Sequence, residues 1–353
     1  MNTFIPLKVK TITAQTNQAI CIAFDVPNDV QSQFDFQAGQ HLTIRHLTEQ
    51  GEIRRCYSIC SHAATEDISI AVKKIDQGQF STWANEHLQV GDVLEVMPPQ
   101  GVFFQKAAKQ GGRHYLGVAA GSGITPILSI IKHVLFEQPE ASFTLLYGNR
   151  SWKQTMFAEQ IMDLKDQFKT RFQLINIFSR EMNESELMNG RIDIAKLQQL
   201  FDHQVLEPIF DHCFACGPEE MMQAVEVVLP ELGIDKTRIH TERFNTGEIK
   251  RRTAEQQADR QDAQVSIVLD GRELRIDVGQ QDDSILDAAL RAGADLPYAC
   301  KGGVCATCRC KVLQGEVDML INYSLEDEEV AKGYVLSCQA LPKTADVRLS
   351  FDE

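Results

Sequence analysis

Four cysteines constrain this chain more than any other feature. Cys300, Cys305 and Cys308 stand in one short run, Cys-Lys-Gly-Gly-Val-Cys-Ala-Thr-Cys, and Cys338 follows 30 positions after the last of them. Gly302 and Gly303 let the backbone of this run wrap closely around a small object and aim N–H groups at the sulfurs. Soft thiolates so arranged suit an iron–sulfur cluster. Zinc is the alternative, but zinc ribbons usually supply two short C-x2-C pairs and only one is present. A cluster with two histidine ligands is excluded, because no histidine occurs after His240. Cys310 falls outside the spacing and reads as a small core residue. The ten cysteines of the 353 residues are unevenly spread, which argues against a disulfide framework and for reduced thiols in the cytoplasm.

The spacing C-x4-C-x2-C…C resembles that of plant-type ferredoxins, which hold a [2Fe–2S] cluster. The resemblance covers residues 265–353. Asp270–Gly271 lies between two alternating runs there, a strong hairpin signal, and SILDAALRAG has helical spacing. It implies that Cys300, Cys305, Cys308 and Cys338 are the metal ligands. The region is acidic, with 9 basic and 16 acidic residues in a chain of net charge −14. Such a balance repels phosphate backbones and anionic membranes and favours a partner with a basic face, so neither nucleic acid nor a membrane is expected as a partner. The most apolar stretch, residues 124–136, is broken by Lys132 and His133 and reads as no membrane span.

A chain of 353 residues fits two or three domains. Short alternating runs from Leu7 to Gly101, separated by Gly, Pro, Asn and Asp, predict an antiparallel β-barrel or a sandwich. After Gly111–Gly112 the apolar runs YLGVAA, FTLLYG, FQLINIF and HCFACG alternate with helical patterns, the signature of an α/β domain with a parallel sheet. Residues 246–264 are dense in charge and Gln, with Ile249 as their one branched apolar residue, and predict a linker. The expected division is 1–110 for the barrel, 111–245 for the parallel-sheet domain, 246–264 for the linker and 265–353 for a small α+β domain of β-grasp type.

A one-electron carrier needs a source of electrons, and the upstream motifs supply candidates. Arg55-Cys56-Tyr57-Ser58 on a predicted strand resembles the R-x-Y-S motif of the ferredoxin–NADP reductase superfamily, in which a barrel binds FAD. The resemblance implies Arg55 on the pyrophosphate, Tyr57 on the ring system and Ser58 at flavin N5. Taken alone, the tetrapeptide reads first as an exposed arginine and a half-buried tyrosine in a strand. Val72-Lys73 and Gly78-Gln79-Phe80-Ser81 resemble the next two segments along the flavin, the second being a turn whose helix N–H groups make an anion site.

Gly121-Ser-Gly123-Ile-Thr125-Pro126 follows a strand and opens a helix, and resembles the same superfamily's nucleotide loop. Arg150 and the pair Ser179-Arg180 end two later strands, where ligands of parallel sheets gather. Ser179 and Arg180 resemble the pair that recognises the NADP 2′-phosphate, which implies NADPH, with NADH possible. The adenine-stacking tyrosine of the family has no counterpart in the acidic run that follows. Cys216-Gly217-Pro218 resembles the segment beside the nicotinamide, and Glu242 and Phe244 resemble residues that return to the flavin. Ser58, Cys216 and Glu242 are therefore the expected catalytic residues, with positioning mattering more than acid or base for hydride transfer. His41 and His46 read as ordinary histidines.

The order of flavin barrel, nucleotide domain, linker and ferredoxin resembles the reductase components of multicomponent oxygenases. It implies electron flow from NADPH to FAD to [2Fe–2S] to a multisubunit di-iron oxygenase. Another oxygenase or a desaturase as acceptor, and a metal-stabilised binding module without catalysis, are the alternatives.

Overall fold

The computed structural model describes residues 4–48, 51–64, 66–244 and 262–353. Contacts divide the chain into two units: residues 4–53 with 57–244, and residues 245–353 with 1–3 and 54–56.

In the first unit, six strands form an antiparallel sheet: β1 Ile5–Thr16, β2 Ala19–Asp25, β3 His41–Thr48, β4 Gly51–Ser58, β5 Ser69–Lys73 and β6 Val93–Val96. Their order is β4-β3-β6-β1-β2-β5, and the bridge Ile59↔Ile70 joins the end of β4 to β5, so the sheet closes into the expected barrel. Alternate residues such as Leu7, Val9, Ile22, Phe24, Ile70 and Val72 fill its interior, as the period of two along each strand requires. Helix α1 Gln79–Glu86 covers one side of the barrel and helix α2 Gln105–Gln110 follows it.

The same unit contains a five-stranded parallel sheet of β7 His114–Ala120, β8 Ser142–Asn149, β9 Phe172–Phe178, β10 His212–Cys216 and β11 Ile239–Glu242, in the order β11-β10-β7-β8-β9. The crossovers are helices α3 Ile124–Glu137, α4 Ala158–Gln167, α5 Ile194–Asp202 and α6 Glu219–Glu231. Strand order reverses between β7 and β10, which makes their carboxyl ends the switch point where ligands of such sheets bind. Helix α3 is apolar on nearly all sides because it is covered on nearly all sides: its residues share one core with Tyr115 and Phe143 of the sheet and with Ala19, Ala38 and Ala71 of the barrel. Each large side chain so buried contributes about 1.5–3 kcal/mol.

The second unit has β12 Ala263–Leu269, β13 Arg272–Val278, β14 Arg309–Gln314, β15 Val317–Met319, β16 Tyr334–Leu336, β17 Ala340–Pro342 and β18 Asp346–Ser350, with helices α7 Ile285–Arg291 and α8 Asp327–Ala331. The main sheet runs β13-β12-β18-β14-β16, with β12 and β18 parallel and α7 packed beneath. Leu269 pairs with Arg272 across the turn, and Asp270 and Gly271 both have positive φ (49° and 70°), the conformation that selects Asp-Gly in two-residue hairpins. Ser284 caps α7 by accepting from Asp287 N–H at 3.1 Å.

Most of the expected linker, residues 246–261, lies outside the described residues. Its last two positions differ from the composition-based boundary. Ala263 and Gln264 already belong to β12, where Gln264 pairs with both Asp277 and Asp346, because backbone pairing rather than side-chain polarity sets a strand's start.

Candidate functional site

Three strand ends meet at the switch point of the first unit. Ser58 closes β4, Cys216 closes β10 and Glu242 closes β11; Cys216 and Glu242 are direct partners in the parallel ladder. The Ser58 hydroxyl donates to Glu242 Oε1 at 2.8 Å, although 184 residues separate them in sequence. Burial pushes the Glu242 carboxyl up, opposed by the positive potential of His41 and by the Ser58 hydrogen bond. Behind this carboxyl, Arg243 pairs with Glu219 at 3.1 Å and Glu226 at 3.0 Å, fastening the end of β11 to α6. The Cys216 thiol is fully buried and pushed well up by desolvation, so it shapes the site as an uncharged wall.

His41 was not singled out by any motif, yet it belongs here. It is buried, its Nε2 has no hydrogen-bond partner, and desolvation lowers its basicity against the raising influence of Glu242. The only available sequence signal was its position opening a barrel strand. His46 instead packs on Trp83 with ring centroids 4.0 Å apart, an ordinary place.

The loop Gly121–Gly123 leads from β7 into α3. A Cβ on Gly123 would stand 1.9 Å from the Cys216 carbonyl oxygen, so only glycine lets this loop lie against the end of β10. Gly217 and Pro218 continue from β10, with Pro218 at the N-cap of α6. Thr125 spends its hydroxyl on the Ser122 carbonyl at 3.0 Å and, like Pro126, is buried; both shape the loop and offer it no free donor. Lys73 reaches from the barrel to the loop, its ammonium 3.2 Å from where a Cβ of Gly121 would be. Desolvation lowers its pKa, and the nearby charge of Arg150 lowers it further. The sequence placed Lys73 along the flavin; its head group lies at the nucleotide loop.

Beyond the loop, Arg180 N–H donates to the Arg150 carbonyl at 2.8 Å, and Ser179 N–H to Asn149 at 2.9 Å, which sets two exposed arginines side by side at adjacent strand ends. The acidic neighbour Glu181 turns away to accept from Trp152 N–H at 2.7 Å. Asn149, at the end of β8, turns its side chain toward the buried Tyr147 hydroxyl.

On the barrel, Tyr57 is half-buried, 5.5 Å from the Phe80 ring, and Arg55 is exposed. Helix α1 starts at Gln79 after Gly78 with no side-chain cap, consistent with an anion at its N-terminus. The side chains of Val72 and Phe80 face the barrel core, so they could meet a cofactor only through their backbone. Ser81 is also turned inward, donating to the Gly78 carbonyl at 3.3 Å. Phe244 packs against the core shared by the barrel and the parallel sheet. The donors and surfaces present, an uncapped helix start, a half-buried tyrosine and an exposed arginine, fit a flavin dinucleotide.

In the second unit, the four expected cysteines lie close together: Cys300 is hydrogen-bonded to Cys305 and Cys308 to Cys338 through their side chains, and Cys305 also has Cys56 as a partner. Among the described residues no three or more Cys, His, Asp or Glu side chains are gathered as for a single ion. Four thiols brought this close would suit a cluster of two irons. Gly302 N–H donates to Cys300 Sγ at 3.3 Å and Gln339 Nε2 to Cys338 Sγ at 3.7 Å, and the buried Ser337 hydroxyl beside Cys338 has no partner. This donor set fits a [2Fe–2S] cluster. Cys310 lies in the same core cluster as Cys308 and Cys338, its thiol pushed up by burial and by the nearby Cys338.

Comparison with known proteins agrees with each part. Residues 6–104 match the oxidoreductase FAD-binding domain family, 118–227 the oxidoreductase NAD-binding domain family and 267–343 the 2Fe-2S iron-sulfur cluster binding domain family. The chain is 51% identical to one of the subunits of the 1,2-phenylacetyl-CoA epoxidase of Escherichia coli (strain K12), over 100% of this chain and 99% of the relative. It is 31% identical to the ferredoxin reductase component of 3-ketosteroid-9-alpha-monooxygenase of Rhodococcus rhodochrous, over 98% and 96%. Phthalate dioxygenase reductase shares the fold with a TM-score of 0.60 at 22% identity, covering 99% of this chain and 98% of that one. No described helix is long and apolar enough to cross a membrane. With a flavin barrel, a nucleotide-binding parallel sheet and a cysteine-bearing C-terminal domain in one chain, the protein belongs to the family of oxidoreductases that carry electrons from a pyridine nucleotide through FAD to a [2Fe–2S] cluster.

Proposed function

We propose that this chain is the reductase subunit of a phenylacetyl-CoA epoxidase complex, working in the cytoplasm and delivering electrons from NADPH to a multisubunit di-iron oxygenase. The observation that carries this reading is the 51% identity to the Escherichia coli epoxidase component over the whole chain. Bound FAD would take electrons in pairs and release them singly, which a one-electron cluster needs.

The chain's own residues do the positioning. Ser58 and Glu242 would hold the reacting edge of the flavin, and Cys216 would keep the nicotinamide against it in a dry pocket. Arg55, Tyr57 and the start of α1, from Gly78 to Ser81, would hold the rest of the FAD, and Gly121, Gly123, Gly217 and Pro218 the nicotinamide end of the coenzyme. The adjacent Arg150 and Arg180 with Ser179 support NADPH over NADH, because guanidinium groups pair with a phosphate dianion. Cys300, Cys305, Cys308 and Cys338 would ligate the cluster, and the boundaries at residues 110 and 245, with the last part starting at β12, would separate the working parts. The test is reconstitution with the oxygenase subunits. NADPH consumption that depends on phenylacetyl-CoA and yields its epoxide supports the assignment, whereas cluster reduction without turnover would assign the chain to another oxygenase.

A further inference from the structure

Helix α3 carries two polar breaks in an otherwise apolar run, Lys132 and His133, and the nucleotide loop does not use them. Ser129, Lys132, His133 and Phe136 share one face of the helix, at spacings of three and four residues. That face meets Cys60, Ser61, His62 and Glu66, in the segment that follows Ser58. Ser129 donates to the Ser61 carbonyl at 2.9 Å. Lys132, almost fully buried, donates to the Cys60 carbonyl at 3.1 Å and to both oxygens of Glu66 at 3.0 and 2.7 Å, which uses all three of its N–H groups. Glu66 also accepts from His62 N–H at 2.7 Å, closing the segment on itself. His62 Nε2 in turn lies 3.3 Å from Glu137, at the far end of α3.

We propose that Lys132 and Glu66 are positioning residues for hydride transfer: a clamp, buried at Lys132 and open to solvent at Glu66, that locks α3, and with it the nucleotide loop at its start, to the chain segment just beyond Ser58. One end of the helix carries Gly121–Gly123 against Cys216, while the clamp near the other end fixes it to the barrel. A 14-residue helix is a stiff rod about 20 Å long. A buried ammonium with three satisfied donors has one low-energy placement, because each shift leaves a charge unpaired away from water. Apolar packing alone would permit the two lobes to slide, and reacting atoms must be held within a fraction of an ångström.

The test uses the full chain with its cofactors and three variants, Lys132→Met, Glu66→Gln and Lys132→Arg. With Lys132→Met we expect the limiting rate of flavin reduction by NADPH to fall about tenfold or more at unchanged coenzyme affinity and FAD content. Lys132→Arg, which retains the pairing with Glu66, should recover most of the rate. Independently of activity, amide hydrogen exchange at His62 and through 60–66 should accelerate in Lys132→Met, with or without FAD. Thermal stability or FAD retention lost while the rate per bound flavin stays at the parent value would overturn the proposal and leave only structural glue. If Lys132→Met does not fold, Glu66→Gln decides alone: a rate equal to the parent's rejects the clamp and a slowed rate supports it.

Discussion

In the first unit, side chains are tied in pairs, Ser58 to Glu242 at the switch point and Lys132 to Glu66 farther along α3, with every partner far away in sequence. The cysteine loop of the second unit is shaped by its own backbone: Lys301, Gly303 and Ala306 all have positive φ, at 51°, 74° and 53°. Holding Lys301 and Ala306 there costs roughly 1–2 kcal/mol each, a strain kept because the loop must turn successive sulfurs toward one point. The contrast follows from the chemistry. Hydride transfer demands that two large ligands meet at a set distance, which only long-range contacts impose. Cluster ligation demands four donors around a small object, which a short strained loop with one later cysteine would provide.

The contrast is tested most severely at the cluster. Cys308→Ser is expected to abolish the rhombic paramagnetic resonance signal of the reduced [2Fe–2S] centre and the bound iron, while NADPH still bleaches the flavin. If flavin reduction is lost as well, the two units are not functionally separable. Second in size, Ser58→Ala leaves the Glu242 carboxyl without its donor, and the limiting rate of flavin reduction in stopped flow should fall roughly ten- to a hundredfold. Iron content and the resonance signal after chemical reduction should stay at parent values.

The same contrast explains what could be read in advance. Cys300, Cys305 and Cys308 announce themselves because a loop that ligates through local geometry writes its spacing into consecutive residues, and Asp270–Gly271 announces the hairpin for the same reason. Gly123 was legible as a glycine of a phosphate loop, but its reason, the Cys216 carbonyl, was not. His41, Arg243 and Lys132 were missed or passed over because their roles depend on partners far along the chain or on other strands, and a buried histidine with no partner looks in sequence like any strand residue. Val72 and Phe80 show the opposite: a motif names a segment, and the barrel's alternation turns their side chains inward, leaving only their backbone toward a ligand.

Coenzyme choice comes third. Charge-assisted hydrogen bonds contribute about 1.5–3 kcal/mol, so Arg180→Ala should lower kcat/KM for NADPH about ten- to a hundredfold and leave that for NADH nearly unchanged. Equal losses with both coenzymes would place Arg180 on the shared part of the nucleotide and remove the support for NADPH.

The smallest effect expected is on stability against pH, and it isolates the cost of keeping Glu242 where hydride transfer needs it. Burial raises this carboxyl's pKa in the folded chain. Between the unfolded and the folded pKa, the native state therefore holds more protons than the unfolded one, and stability falls as pH rises through that window. Below the unfolded value both states are protonated and the stabilising contribution is complete; above the folded value it is gone. Glu242→Gln keeps an acceptor for the Ser58 hydroxyl and has no proton to lose. The variant should therefore match the parent in acid and become the more stable of the two as pH rises above the ordinary glutamate range, in unfolding midpoints measured on both at equal FAD saturation. A parent that instead gains on the variant with rising pH would mean that His41 and Ser58 together outweigh desolvation, and that the carboxylate is stabilised in its charged form at the flavin edge.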